Sequence, residues 1–496
     1  MHADPVVHAR RWKTLFVLSL SLLLIGLDNT VLNVALPTLQ THFSASASTL
    51  QWIVDAYLLA FAGVLLTMGT LGDRFGRKRA LQSGLVLFGL ASVLAALAST
   101  SGQLIVLRAA MGVAGAMVMP ATLSVIMDVF PRHERAKAIG IWSATAGVGI
   151  GLGPFIGGLL LEWLPWSAVF WLNVPIIVVA LVAGRTLVPE SRDPSPGAFD
   201  LVGAGLSIAT LVTAVYAIIE ATPRGWTDPL VLSGFAAAVA LGAAFVVWER
   251  RVASPMLPLR FFSDPSFTVA SLGIALVFFA LMGSVFAFTQ FLQFAHGYSA
   301  LEAGAMMLPL ALGLVVGSGG STKLAERVGR TRVIAGGLVG VAAVLSTSLL
   351  WTPEMAPPLL ALVTFGLALS MGAAMAPATD AVMGAVPESK AGVGSAMSDV
   401  TRQVGGALGV AVIGSIIGSA YSDDVSGAAG ESIGAAHAEA AALGGSAGEQ
   451  LAATASRAFT DALGLGLTAA AAVALAGAVL VAVRLPSRAA PVAVPA

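Results

Sequence analysis

Apolar stretches long enough to cross a bilayer recur fourteen times along this 496-residue chain, and no other feature constrains its fold as much. A hydrocarbon core about 30 Å thick requires about 20 apolar residues per helix. Such stretches run over 14–37, 50–71, 80–99, 104–127, 137–160, 166–187, 200–221, 229–248, 266–294, 301–321, 332–351, 357–380, 392–420 and 462–483. The expected fold class is therefore an all-α polytopic membrane protein. The first stretch is too long for a cleavable signal peptide, carries Asp28, and is followed by no small-residue cleavage pattern.

Flanking charges orient these spans, because lysine and arginine are retained on the cytoplasmic side of short loops. With the N-terminus inside, 22 of the 26 basic residues fall on the cytoplasmic side, including Arg10, Arg11 and Lys13, the loop at 74–79, the loop at 132–137, the loop at 323–332 and Lys390. Only Arg224 and Arg457 fall outside, while Arg108 and Arg402 sit within spans. Changing the span count by one would scramble this alternation, so the charges support fourteen spans with both termini cytoplasmic.

The chain also repeats itself. Asp73-Arg74-Phe75-Gly76-Arg77-Lys78-Arg79 after span 2 recurs as Glu326-Arg327-Val328-Gly329-Arg330-Thr331-Arg332 after span 10. Transporters are commonly built from duplicated halves with the substrate site between them. The two loops become equivalent if spans 7 and 8 are an inserted pair, bounded by linkers at Pro189–Gly197 and Pro255–Pro258. This divides the chain into an N-terminal six-helix bundle over 1–187, linkers and inserted spans over 188–265, and a C-terminal six-helix bundle over 266–496. The Ala/Gly/Ser-rich segment at about 421–461 is external, and is expected to be partly helical and poorly packed.

Composition removes whole classes of function. The chain is 57% hydrophobic and 10% charged, against about 25% charged residues in a soluble chain. The absence of cysteine excludes disulfides, thiolate metal sites and cysteine nucleophiles. Six scattered histidines show no metal-ligand spacing, so no metal site is expected, and zero net charge gives no reason to expect nucleic acid. No Gly-Lys-Ser/Thr phosphate loop is present, which excludes an ATP-driven pump within this chain. No cofactor is expected, and the chain reads as a transporter and not an enzyme. Arginine outnumbers lysine 21 to 5, and alanine and glycine are abundant, which suits a GC-rich bacterial genome.

Four motifs in order carry a family resemblance. They are Leu27-Asp28-Asn29-Thr30-Val31-Leu32-Asn33-Val34-Ala35-Leu36-Pro37 in span 1, Gly69 to Lys78 after span 2, Arg108 followed by Gly112 in span 4, and Gly149-Ile-Gly-Leu-Gly153-Pro154-Phe-Ile-Gly157-Gly158 in span 5. The chain resembles the fourteen-span drug:proton antiporters of the major facilitator superfamily over nearly its whole length. The resemblance implies a rocker-switch transporter with a central cavity between two six-helix bundles. It also implies a monomer in a bacterial cytoplasmic membrane, driven by the proton gradient. The span 5 motif is the pattern associated with antiporters, which argues against nutrient uptake by symport.

A carboxylate at membrane depth costs several kcal/mol unless it is protonated, paired or hydrated. Asp28 is therefore poised to bind a proton from one side and release it to the other. A neutral hydrogen bond between helices is the structural alternative. Asp55 in span 2 follows the same logic. By a rise of about 1.5 Å per residue, Asp55 lies about 7 Å, Arg108 about 6 Å and Asp28 about 13 Å below the outer ends of their spans. Arg108 cannot shed its charge and is the natural partner of Asp28 or Asp55, either in coupling or as a static pair joining spans 1 and 4.

Asp55 carries the substrate hint, since in the family an acid at this place looks like the exporters of quaternary ammonium and other cationic drugs. Asp55, Asn33 and Tyr57 are the expected substrate-binding residues, because an anionic, aromatic-lined cavity suits lipophilic cations. The alternative for Asp55 is a simple pair with Arg108. Moving one charge across 100 mV costs about 2.3 kcal/mol, so two inward protons would cancel the electrical cost of expelling a dication.

The loop after span 2 reads as a gate, with Asp73 capping a helix N-terminus and an arginine (Arg74 or Arg77) reaching Asp128. Gly76 belongs to the same loop. Gly149, Gly153 and Gly157 offer a smooth face for close helix approach, and Pro154 bends it. Among weaker candidates, Asp399 and Arg402 are expected to neutralise one another on span 13, while Glu302 and Glu220 lie near outer ends and are expected to be solvated. A self-made antibiotic or a metabolite is an alternative cargo.

Overall fold

A computed structural model describes residues 5–192, 200–252, 255, 259–386 and 391–485. Lys390 and parts of the two expected linkers, 193–197 and 256–258, lie outside the described residues. Among the described residues the chain is helical throughout, without a β-strand, and fourteen helical segments are long and apolar enough to cross a membrane.

The N-terminal helices are α1 (Pro5–Phe43), α2 (Ala47–Phe75), α3 (Arg77–Ala96), α4 (Ser101–Val129), α5 (Arg132–Trp163), the short α6 (Ala168–Trp171) and α7 (Asn173–Leu187). Then come α8 (Leu201–Arg224) and α9 (Pro229–Arg251). The remainder comprises α10 (Pro265–Gln290), α11 (Ala300–Ala305), α12 (Leu308–Val328), α13 (Arg330–Ser346), α14 (Pro357–Gly384), α15 (Ala391–Asp424), α16 (Ile433–Leu443) and α17 (Gly445–Arg484). Within the first group α1 packs on α5 and α2 on α4, and within the last α12 packs on α14 and α10 on α15. The α8–α9 hairpin lies at the seam between the groups, with α8 against both α2 and α15.

Chain reversals use local chemistry. Ser46 caps α2 by accepting from the Thr49 amide at 3.2 Å, and Thr100 caps α4 by accepting from Gln103. The duplicated loops share one backbone solution. Gly76, at φ 120°, ends α2 and begins α3, and Gly329, at φ 94°, does the same between α12 and α13. That left-handed conformation is open to glycine and strained for any other residue, which explains why Gly recurs at the same place in both copies.

Two expectations need correction. The segment at 421–461 is largely helical and packs along one side while 441–447 is exposed: α15 runs on to Asp424, α16 follows, and α17 begins at Gly445. Ile433, Gly434 and Ala436 on α16 and Ala455 on α17 are buried, with Gly434 seated on Gln40 of α1. Alanine-rich runs form helices readily and pack closely because their side chains are small. Asp73 does not cap a helix either, because Gly76 occupies the N-cap of α3 with no side-chain cap.

Candidate functional site

Asp28, Arg108 and Asp55 converge on the half of the N-terminal helices farther from the N-terminus, called here the opposite face. Asp28 and Arg108 are each 1% exposed and Asp55 is fully buried. Arg108 Nη1 donates to Asp28 Oδ2 at 2.5 Å, and its Nε donates to the Ile53 carbonyl at 3.3 Å. The Tyr57 ring lies 4.4 Å from the guanidinium carbon, so a π face, a carbonyl and a carboxylate together surround this charge. Glycines set the distance: Gly112 of α4 touches the backbone of Tyr57, and Gly115 faces the Phe61 ring.

Sequence reasoning missed two members of this cluster. Asn173 on α7 donates from Nδ2 to Asp28 Oδ1 at 3.0 Å and to Ser92 Oγ at 3.1 Å, and Ser92 in turn donates to the Phe170 carbonyl at 2.7 Å. All three polar residues, Asn173, Ser92 and Asp28, are buried. The available signal was a lone asparagine in Trp171-Leu172-Asn173-Val174-Pro175, an amide at the start of an apolar span.

Asp55 differs in kind. Neither carboxylate oxygen has a hydrogen-bond partner, and it makes no pair with Arg108. Gln51 and Leu58, which share its face of α2, both touch α15: Gln51 Nε2 donates to the Ala411 carbonyl at 3.3 Å, and Leu58 stands beside Gly406. Asp55 therefore faces the seam between the two groups of helices. Helix α2 begins at Ala47, which sets Asp55 about 12 Å from its end, deeper than the expected 7 Å.

Asn33 and Tyr57 were expected beside the substrate, and the structure encloses both. Asn33 is 2% exposed and turns its Nδ2 back to the Asn29 carbonyl of its own helix, while Tyr57 is fully buried against Arg108.

The span 5 motif seats the turn that carries Asp28. A Cβ on Gly149 would stand 2.9 Å from the Leu23 carbonyl oxygen and 3.0 Å from the Leu27 nitrogen, and one on Gly153 3.0 Å from the Leu27 carbonyl oxygen. Gly157 meets Val31 in the same way, so α1 and α5 are in backbone contact along the whole face. Helix α5 stays helical through Pro154. Its other side meets the C-terminal helices: Gly151 abuts Ala311, Gly158 abuts Ala300 and Leu301, and Gly304 abuts Pro154 and Phe155. With Gln51 on α15 and Gln293 Nε2 donating to the Val34 carbonyl at 2.9 Å, these cross-seam contacts gather on the opposite face. On the N-terminal side, Gly140 and Gly147 of α5 and Gly319 and Gly320 of α12 have open space where a side chain would stand.

The loop between α2 and α3 forms a clustered ion network. Arg77 Nε donates to Asp73 at 2.7 Å and its Nη1 reaches Asp128 at the end of α4. Lys78 donates to the Arg185 carbonyl at 2.7 Å, and Arg74 lies over the Phe75 ring. Arg77, not Arg74, is thus the arginine that reaches Asp128. In the C-terminal helices Arg402 donates to Asp399 at 2.9 Å and to Thr379 at 3.4 Å, the mutual neutralisation expected of that pair. Glu302 is exposed and closes a capping box with Ser299 at the start of α11, and Glu220 pairs with Arg224 at 2.9 Å.

Residues 18–410 match the sequence profile of the Major Facilitator Superfamily. The chain belongs to this superfamily. Among curated relatives, the multidrug efflux pump LfrA of Mycolicibacterium smegmatis is 39% identical over 485 residues, covering 96% of each chain. The methyl viologen resistance protein SmvA of Salmonella typhimurium is 34% identical over 430 residues, covering 84% of each. A bacterial homologue of the human lysosomal transporter Spinster shares the fold at a TM-score of 0.66 and 21% identity, covering 97% of both chains. Family and fold make this chain a multi-pass membrane transporter of the drug-efflux branch rather than an enzyme.

Proposed function

We propose that the protein is a proton-coupled antiporter that exports lipophilic, cationic compounds across the bacterial cytoplasmic membrane, with both termini cytoplasmic. One observation carries this reading: of two buried carboxylates on adjacent helices, Asp28 is neutralised by Arg108 and accepts a hydrogen bond from Asn173, while Asp55 has no partner and faces the seam. A buried charge without a partner is costly in a membrane, and a bound cation relieves that cost. Names among the relatives agree, since multidrug efflux and resistance to methyl viologen, a dication, both occur.

In this reading the bundles over 1–187 and 266–496 rock about the Asp55 seam, with 188–265 inserted between them. With the external half closed by cross-seam contacts, a cation enters from the cytoplasmic side and rests at Asp55. Protonation of Asp28 from outside releases Arg108, whose charge is then held by the Ile53 carbonyl and the Tyr57 ring. Loss of that proton to the cytoplasm restores the pair. The Asp73–Arg77–Asp128 cluster forms or breaks between the two states and biases them. The protein works as a monomer, with the proton gradient as its energy source and no cofactor.

Everted vesicles carrying the protein should accumulate ethidium when the lumen is made acidic, and a symporter would not. Asp55→Asn should abolish accumulation of dications while sparing neutral drugs. Equal loss of both would remove Asp55 from cation recognition.

A further inference from the structure

Asp28 is held by two donors of different kinds. Arg108 is charged in either state of Asp28, whereas Asn173 carries an amide that offers a donor on one side and an acceptor on the other. In this structure both hydrogens of Nδ2 are in use, one on Asp28 Oδ1 and one on Ser92 Oγ, while Asn173 Oδ1 is buried without a partner. The Ser92 hydroxyl, now donating to the Phe170 carbonyl, is free to rotate and donate elsewhere. The other groups facing Asp28 have fixed roles: Arg108 from α4 donates only, Tyr57 from α2 turns its ring and not its hydroxyl to Arg108, and α5 presents backbone and glycine. Asp55 bonds to none of them.

We propose that Asn173 is a positioning residue for proton exchange, an amide that turns about its terminal bond to match the protonation state of Asp28. With Asp28 ionised, Nδ2 donates to the carboxylate, as seen here. When a proton from the external side binds Asp28 Oδ1, the new O–H needs an acceptor; the amide turns, its Oδ1 accepts that O–H, and the Ser92 hydroxyl swings from Phe170 to the same oxygen. Release of the proton to the cytoplasm reverses both movements. Each proton taken up is the one given back, and no other group changes charge. The proposal rests on Asp28 being the proton carrier.

The test uses full-length protein in proteoliposomes, with ethidium–proton exchange followed across the pH range. Asn173→Leu keeps the volume and removes both functions of the amide. The carboxylate loses a charge-assisted hydrogen bond, stronger than the neutral bond lost by the acid. The exchange midpoint should move to higher pH by about one unit, a tenfold tighter hold on the proton, while KM for ethidium at the acid end stays within about twofold. Asn173→Asp should also move the midpoint to higher pH, since two adjoining carboxylates resist double ionisation and hold a proton more tightly. If the Leu variant does not assemble, the Asp variant gives the same readout. A lowered kcat with an unmoved midpoint in the folded variants means that Asn173 only packs, and overturns the proposal. Asp28→Asn separates the two readings: persistent pH-dependent coupling in that variant removes Asp28 as carrier, whatever Asn173 does.

Discussion

Thr30 of α1 donates at 2.9 Å to the carbonyl of Ile150 on α5, the acceptor that Pro154 leaves without its helical partner. Proline has no N–H to offer the carbonyl four residues back, so a neighbouring helix supplies the bond instead. Thr30→Val removes the hydroxyl without changing shape. A loss of about 1 kcal/mol is expected, read as a melting temperature a few degrees lower in detergent, with Thr30→Ser restoring it.

The glycine face beside that bond leaves no room for side chains. Gly153→Leu would drive α1 away from α5 and displace the turn holding Asp28. Exchange should fall about tenfold or more while expression persists, because such interfaces depend on close backbone approach. Gly140→Leu, where space is open, should leave ethidium transport near the wild-type rate.

Asp28 and Arg108 are matched, so removing either strands the other. Arg108→Ala should destabilise the protein by about 3–5 kcal/mol, measured as thermal unfolding of the purified transporter. The double replacement Asp28→Asn with Arg108→Gln should recover much of that stability and none of the proton coupling. Recovery of coupled efflux would disprove the assigned role.

Arg77 joins Asp73 to Asp128 on the same side as the N-terminus, where partial exposure limits each contact to about 1 kcal/mol or less. Arg77→Ala should therefore leave folding intact and shift the balance of conformations. A cysteine pair placed across the α5–α12 seam should cross-link at a changed rate in that variant. An unchanged rate would make the cluster merely topogenic.

His437 on α16 is packed against the Phe294 ring, 5.7 Å between centroids, and burial lowers its imidazole below the ordinary value of 6.5. The unfolded segment therefore binds a proton more readily than the folded one. Stability from this packing is complete above about pH 6.5 and declines as pH falls below it. Hydrogen exchange in α16 should quicken on acidification, and His437→Phe should abolish that dependence.

Much of this architecture was legible because lipid imposes simple rules. Apolar length gave the spans, and the Gly76 and Gly329 loops revealed the duplication. Asp28 and Arg108 were recognisable because charge inside a span demands a partner. Asn173 and Ser92 stayed hidden since a single amide or hydroxyl costs too little to stand out among apolar residues. The fates of Tyr57 and Asn33 depended on which way side chains turn, which periodicity does not encode. The packing of α16 was missed because alanine and glycine read alike in a loose linker and in a tight helix pair.

On the opposite face the two groups of helices meet at Gly151 against Ala311, Gly158 against Ala300 and Gly304 against Pro154, beside the Gln51 and Gln293 hydrogen bonds. Interlocked side chains must change rotamers before they can part, but these surfaces have almost nothing to disengage. Parting this seam breaks the Gln51 and Gln293 hydrogen bonds and little interlocking beyond them. Under the proposed antiport cycle, opening is expected to follow the charge state at Asp28 and Asp55 rather than friction between the two groups of helices.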